Sequence, residues 1–333
     1  MPFIRTLLKD IDPKELGITN AHEHIVCRPP YWIEHKQDDL LLDDEKKSLL
    51  DVLDFKELGG KSIVDATAID YGRDVEAVVR ISKKSNIQFV GTAGFNKSFL
   101  WDAAIPKHLK KIIGQQFTTY KEWIEKSTIQ ELVNFVCEEI EVGLEGTRYK
   151  AGQVKFGTAY NSIKPLEIKT LKVACEVHKQ TGAPIHSHTE AGTMALEQIE
   201  LLKAEGIDLS CVTFGHMDRN IDPYYHKKIA ESGAFLSFDG LGKNKYGPES
   251  NRIAAILYLV KLGYEDQIVL GGDTARKSYY KHYDYGIGLE FLLKKWIPRF
   301  LEECTNNDLD GKVLVNKFLI INPARALTFR EVK

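Results

Sequence analysis

The sequence predicts an α/β protein, a single (β/α)8 TIM barrel spanning residues 1–333, and three observations lead there. Eight short runs rich in β-branched or apolar residues are spread along the chain, with segments of helical periodicity between them. Strand and helix alternating eight times favour a parallel sheet closed on itself. The alternative, a doubly wound open sheet, lacks its GxGxxG fingerprint here. A length of 333 residues is normal for a barrel with elaborated loops, and no linker, repeat or low-complexity tract divides it.

Taken in order, the expected strands are residues 17–24 (GITNAHEH), 62–69 (SIVDATAI), 87–95 (IQFVGTAGF), 152–158 (GQVKFGT), 183–189 (APIHSHT), 211–217 (CVTFGHM), 234–241 (AFLSFDGL) and 267–274 (QIVLGGDT). Long loops follow strands 1 and 3. Thr128 and Glu131 make a capping box, with Leu132, Phe135, Val136 and Ile140 on one face and Gly143 to end the helix. Asn322-Pro323 is expected to open another helix, with Asn as N-cap and Pro at its first position.

Bulk composition narrows the function. With 43% hydrophobic and 10% aromatic residues the chain can bury a large core. Lys+Arg 45 against Asp+Glu 47 leaves a net charge of −2, which argues for neither nucleic acid nor a membrane surface as partner. The start, MPFIRTLLKD, is too short and polar for a secretory segment, and the longest apolar runs fall short of a membrane span. Five scattered cysteines without a CxxC pair fit a reducing cytoplasm. The expected localisation is cytoplasmic.

A barrel enzyme carries its chemistry at the C-terminal ends of its strands. Those ends here read His22-Glu23-His24, Lys155 within Val154-Lys155-Phe156, His186-Ser187-His188, Gly215-His216 and Gly272-Asp273. Ten histidines in this length would give about 0.3 H-x-H pairs by chance, so one pair is weak and the constellation is what counts. Residues i and i+2 of a strand share a face, which aims both His22 and His24 into the barrel. Imidazoles from three strands plus a carboxylate suit zinc, manganese, cobalt or iron. A buried lysine can lose its proton, and the neutral amine of Lys155 can then take up carbon dioxide as a carbamate able to bridge two ions. The plainer reading of Lys155 is a lysine paired with a carboxylate.

The pattern resembles the amidohydrolase superfamily, and within it the phosphotriesterase-like family, along essentially the whole chain. The stretches that carry the resemblance are TNAHEHI, VKFGTA, HSHTEAGTMALEQIELLKAEGIDL, GHMD, GKNKYGP, GGDTARKS and INPARAL, closest to the phosphotriesterase-homology and phospho-furanose lactonase branches. The resemblance implies two divalent metal ions, zinc first among the candidates. His22 and His24, helped by Asp273, would hold the first, and His188 and His216 the second, with N6-carboxylated Lys155 bridging. His186, one layer deeper than His188, is read as packing or support. Hydrolysis by a metal-bridging hydroxide is implied, with Asp273 as the catalytic proton carrier. The family also suggests a homodimer.

The loops bear on substrate. If Thr274 begins a helical turn, Asp273, Arg276 and Tyr279 share one side of it. Lys243, Lys245 and Arg219 open on the same barrel face. So many cations and a phenol around a metal site suit a small anionic substrate, with a phosphate remote from the scissile bond as its anchor. The expected function is therefore a lactonase for a phosphorylated sugar lactone of the pentono-1,4-lactone 5-phosphate type. The family's acyl-homoserine lactonases use a long apolar last loop and a Tyr after strand 3, where this chain has Phe95-Asn96-Lys97. An organophosphate triesterase, an unphosphorylated-lactone hydrolase and a metal-binding protein without turnover are the alternatives. Tyr31, Trp32, Phe99 and Trp101 are expected to cover the site, form an interface or anchor their loops.

Overall fold

A computed structural model describes residues 2–332. Its barrel strands are β1 (Thr19–Glu23), β2 (Ser62–Asp65), β3 (Gln88–Val90 and Thr92–Gly94), β4 (Gln153–Thr158), β5 (Ile185–Thr189), β6 (Val212–Phe214), β7 (Phe235–Phe238) and β8 (Ile268–Leu270). Each lies within one of the eight expected runs, and each is shorter, because the ends of the runs turn into the loops. Neighbours pair in parallel from β1 through β8. β3 is broken at Gly91, whose carbonyl turns to accept from Gly152 N at 2.8 Å. Its first half pairs with β2 and its second with β4. The seam between β8 and β1 is made just past β8, where Gly272 N and Asp273 N both donate to His22 O, at 3.2 and 2.8 Å.

The two long connections are where the sequence places them, after β1 and β3. The first carries helices Pro30–Glu34 and Glu45–Glu57, the second Tyr120–Lys126 and Ile129–Glu141. Thr128 caps the last of these through the expected capping box. Asn322 departs from expectation. It is no N-cap, because helical backbone runs unbroken from Gly311–Asn316 through a π-turn at Lys317–Ile321 into Asn322–Leu327. Pro323 lacks an amide hydrogen and so fits beside a turn whose hydrogen bonds are already displaced. The Asn322 amide instead donates to Glu265 O and Ile268 O, both at 2.8 Å, and fastens this helix to the base of β8.

Among the described residues no helix is long and apolar enough to cross a membrane, and all five cysteines are free thiols. The core is dominated by aliphatic and aromatic side chains from the strands and the helices around them, including Phe89, Phe156, Phe214 and Phe238.

One glycine sets the spacing beneath the site. Gly94 has φ 87°, and a Cβ there would stand 2.3 Å from Lys155 O, so only glycine lets β3 approach β4 at the level of Lys155. Gly94→Ala should therefore lower stability by about 2 kcal/mol or more, seen as a shifted urea midpoint with unchanged slope. An unshifted midpoint would mean that the two strands have room to part.

Candidate metal centre

The C-terminal mouth of the barrel gathers all six sequence-predicted ligands. His22 and His24 come from the end of β1, Lys155 from the middle of β4, His188 from β5, His216 from just beyond β6, and Asp273 from beyond β8. All six are buried. Asp273 Oδ1 lies 3.7 Å from His22 Nε2 and 3.5 Å from His24 Nε2. His188 Nδ1 and His216 Nε2 face each other at 2.8 Å. His216 and Asp273 have φ of 64° and 44°, a left-handed conformation uncommon outside glycine, and such outliers mark places where backbone strain is tolerated to aim a group.

Electrostatics leave His24, His188, His216 and Asp273 as lone-pair donors. Burial holds the His24 and His188 imidazoles well below the usual histidine range. It also pushes His216 down to about 4, with help from Arg219 and against Asp239. Burial pushes Lys155 down to about 8, against the pull of Asp273, Asp70 and Asp239, and its Nζ donates to Ala66 O at 2.8 Å. Asp273 stays ionised although burial opposes it, because Lys243, His216 and Arg219 hold its carboxyl well below the usual range.

The residues fit divalent cations. Neither ring nitrogen of buried His22 makes a well-aligned hydrogen bond, although Nδ1 lies 3.2 Å from Asp239 Oδ2, a costly state unless another partner takes the ring's lone pair. Ligand atoms of His22, His24 and Asp273, and of His22, His216 and Asp239, lie within 4.8 Å of one another.

Asp239 is the functional residue that the sequence reading passed over. Its Oδ1 sits 2.7 Å from His216 Nδ1, and its Oδ2 accepts from His216 N at 3.0 Å and stands 3.2 Å from His22 Nδ1. A single acid after the apolar run Phe235–Phe238 was the available signal. Glu23 was passed over too. It accepts from Thr274 N at 2.6 Å and from Asn20 at 2.8 Å, so it ties the loop bearing Asp273 to β1. His186 is buried, its ring centroid 4.8 Å from that of His22.

Above these groups opens a cavity of about 230 Å³. Arg219, Lys243, Lys245, Arg276 and Tyr279 all line it, in two groups. Arg219 Nη2 and Lys243 Nζ each donate to Asp273 Oδ2 at 2.6 Å. Lys245 and Lys243 stand 5.7 and 5.4 Å from the Tyr279 ring centre, and Arg276 reaches Asp39 at 3.2 Å. The turn expected from Thr274 is not helical at first. Arg276 is extended (φ −144°, ψ 144°) and helix begins only at Lys277, because the Thr274 amide is drawn to Glu23. Trp32 and Phe99 also line the cavity, while Trp101 is buried and donates to Asp70 at 2.6 Å. Lys97 ion-pairs with Glu190, which also holds His188 Nε2 at 3.1 Å.

A model of the phosphotriesterase family matches residues 2–327. The fold is similar to the crystal structure of a lactonase from Listeria monocytogenes, with 64% identity, TM-score 0.98, and 99% of this chain and all of that one covered. The sequence is 32% identical to a phospho-furanose lactonase of Mycoplasmopsis synoviae, over 99% of this chain and 92% of the relative. The Escherichia coli phosphotriesterase homology protein, crystallised with phosphate in its active site, shares 30% identity at TM-score 0.83, covering 95% of this chain and all of its own.

If Asp239 orients His216, Asp239→Ala should weaken Zn2+ binding about 10- to 100-fold in chelator competition. Unchanged affinity would leave Asp239 a packing residue.

Proposed function

The chain belongs to the phosphotriesterase family, and on that premise we propose that it is a lactonase opening a phosphorylated sugar lactone of the pentono-1,4-lactone 5-phosphate type at a binuclear metal centre. Hydrolysis of an ester bond is the activity that its lactonase relatives support. The observation that carries the finer reading is the pairing of a donor floor with a cationic wall in one small cavity. Its volume of about 230 Å³ falls below the ~300–1,000 Å³ of pockets for drug-sized ligands, which favours a compact guest over a long acyl chain.

Two divalent ions held by His22, His24, His188, His216, Asp273 and N6-carboxylated Lys155 would supply Lewis acidity and a water activated near neutral pH. The remaining work falls to the protein. Lys245, Arg276 and Tyr279 bind the phosphate, and that remote contact orients the lactone carbonyl over the floor. Arg219 and Lys243 hold Asp273 Oδ2, so the carboxylate faces the reacting centre with one fixed edge. Asp273 then takes a proton at that centre and returns it to the ring oxygen as the ester bond opens. Asp39 competes for Arg276 in the free protein and yields it to the stronger phosphate anion.

The assay compares a pentono-1,4-lactone 5-phosphate with the same lactone lacking phosphate. Arg276→Ala should raise KM for the phosphorylated substrate about 10- to 100-fold with little effect on the neutral one. Equal effects would remove the phosphate site and favour an unphosphorylated lactone or an organophosphate triester. Carboxylation has its own check, since the neutral amine of Lys155 gains as pH rises through about 8. Zn2+ reconstitution in bicarbonate above that pH should recover several-fold more activity than reconstitution below it without carbon dioxide. Equal recovery would leave Lys155 an uncarboxylated lysine hydrogen-bonded to Ala66 O.

A further inference from the structure

Beyond the cavity, a buried chain of hydrogen bonds runs from the end of β2 to one of the floor histidines. Thr67 Oγ1 donates to Asp65 Oδ1 at 2.5 Å, and Thr67 N approaches the same oxygen at 3.3 Å. Thr67 Oγ1 lies 2.8 Å from His24 Nδ1. All three side chains are buried, with Thr67 only 1% exposed.

The direction of each bond follows from counting protons. A hydroxyl has one hydrogen to give, and an ionised carboxylate can only accept. Once Thr67 gives its hydrogen to Asp65, only lone pairs remain on Oγ1, so His24 Nδ1 must be the N–H that donates to it. The lone pair of His24 is then on Nε2, the nitrogen that stands 3.5 Å from Asp273 Oδ1. A neutral imidazole carries one proton, and the bond made by one ring nitrogen decides which nitrogen is free to ligate.

From this geometry we propose that Thr67, itself held by Asp65, is a positioning residue that fixes the tautomer and ring orientation of His24. The proposal rests on the metal-centre reading for its consequence, but the tautomer itself does not depend on a metal. The Tyr71 ring, 4.8 Å from that of His24 and tilted by 40°, limits ring rotation from the other side. His188 and His216 are held at their second nitrogens by the carboxylates of Glu190 and Asp239. For His24 the nearest partner is neutral, and the charge stands one bond further away.

Thr67→Val removes the hydroxyl at nearly constant volume, and Thr67→Ser keeps it. In the full-length, metal-free chain with 15N-labelled histidine, the wild type should show His24 protonated at Nδ1. Thr67→Val should show a mixture of tautomers, and Thr67→Ser should restore the wild-type signal. Zn2+ affinity measured against a chromophoric chelator should fall about 10- to 100-fold in Thr67→Val and recover in Thr67→Ser. A wild-type His24 protonated at Nε2, or a Thr67→Val variant that binds Zn2+ as the wild type does, would overturn the proposal. A wild type with the Nδ1 proton that binds no Zn2+ would instead overturn the metal reading and leave the tautomer assignment standing.

Discussion

The mouth of this barrel depends on one peptide carbonyl. His22 O accepts from both Gly272 N and Asp273 N, so the bonds that close the sheet also bring the last ligand-bearing loop onto the first. Glu23 strengthens the same seam by holding Thr274. With the loop pinned there, Asp273 has no choice but to face His22 and His24. A Cβ on Gly271, the first residue past β8, would stand 2.9 Å from His22 N and 3.1 Å from His22 O, which explains why the loop opens with glycine. Closure and chemistry therefore share a location, and a change at the seam would be felt in both.

That seam concentrates ionisable groups in a space from which water is largely excluded, and isolated buried charges are costly. The structure answers with local balance. Asp273 is met by the charges of Arg219 and Lys243 and Glu190 by that of Lys97, while Asp239 is satisfied by hydrogen bonds from His216. Arg219 and Lys243 thus have a task besides meeting an anion. They let a carboxylate remain ionised at the bottom of the pocket, and of the cations further out Lys245 has no carboxylate beside it among the described residues while Arg276 is paired with Asp39.

Much of this was legible in the sequence, for a physical reason. Strand geometry forces i and i+2 onto one face, so His22-Glu23-His24 and His186-Ser187-His188 announce inward-facing imidazoles before any coordinates exist. Lys155 in an apolar strand is equally plain. Asp239 was not, because one acid after a strand is common and gains meaning only from the His216 ring beside it. Loop side chains resist such reading altogether. Nothing in the spacing of Arg219 and Lys243 says that they reach Asp273 while Lys245 stays over the rings of Tyr246 and Tyr279. Asn322 misleads because Asn-Pro is a sound helix start in isolation, and only the π-turn before it reveals that the helix is already under way.

Several local costs converge on the floor. His216 and Asp273 hold left-handed backbone, and the two nitrogens of buried His22 lack well-aligned hydrogen-bond partners. Each is a feature that folding alone would tend to remove, since buried polar atoms without partners and strained φ values both lower stability. They persist because the rest of the barrel over-determines them: His216 N is tied to Asp239, Asp273 N to His22 O, and Lys155 to Ala66 O. A cation entering such a floor would take up the His22 lone pair without the ligands first having to be assembled. Its binding free energy would therefore appear as added stability of the folded chain.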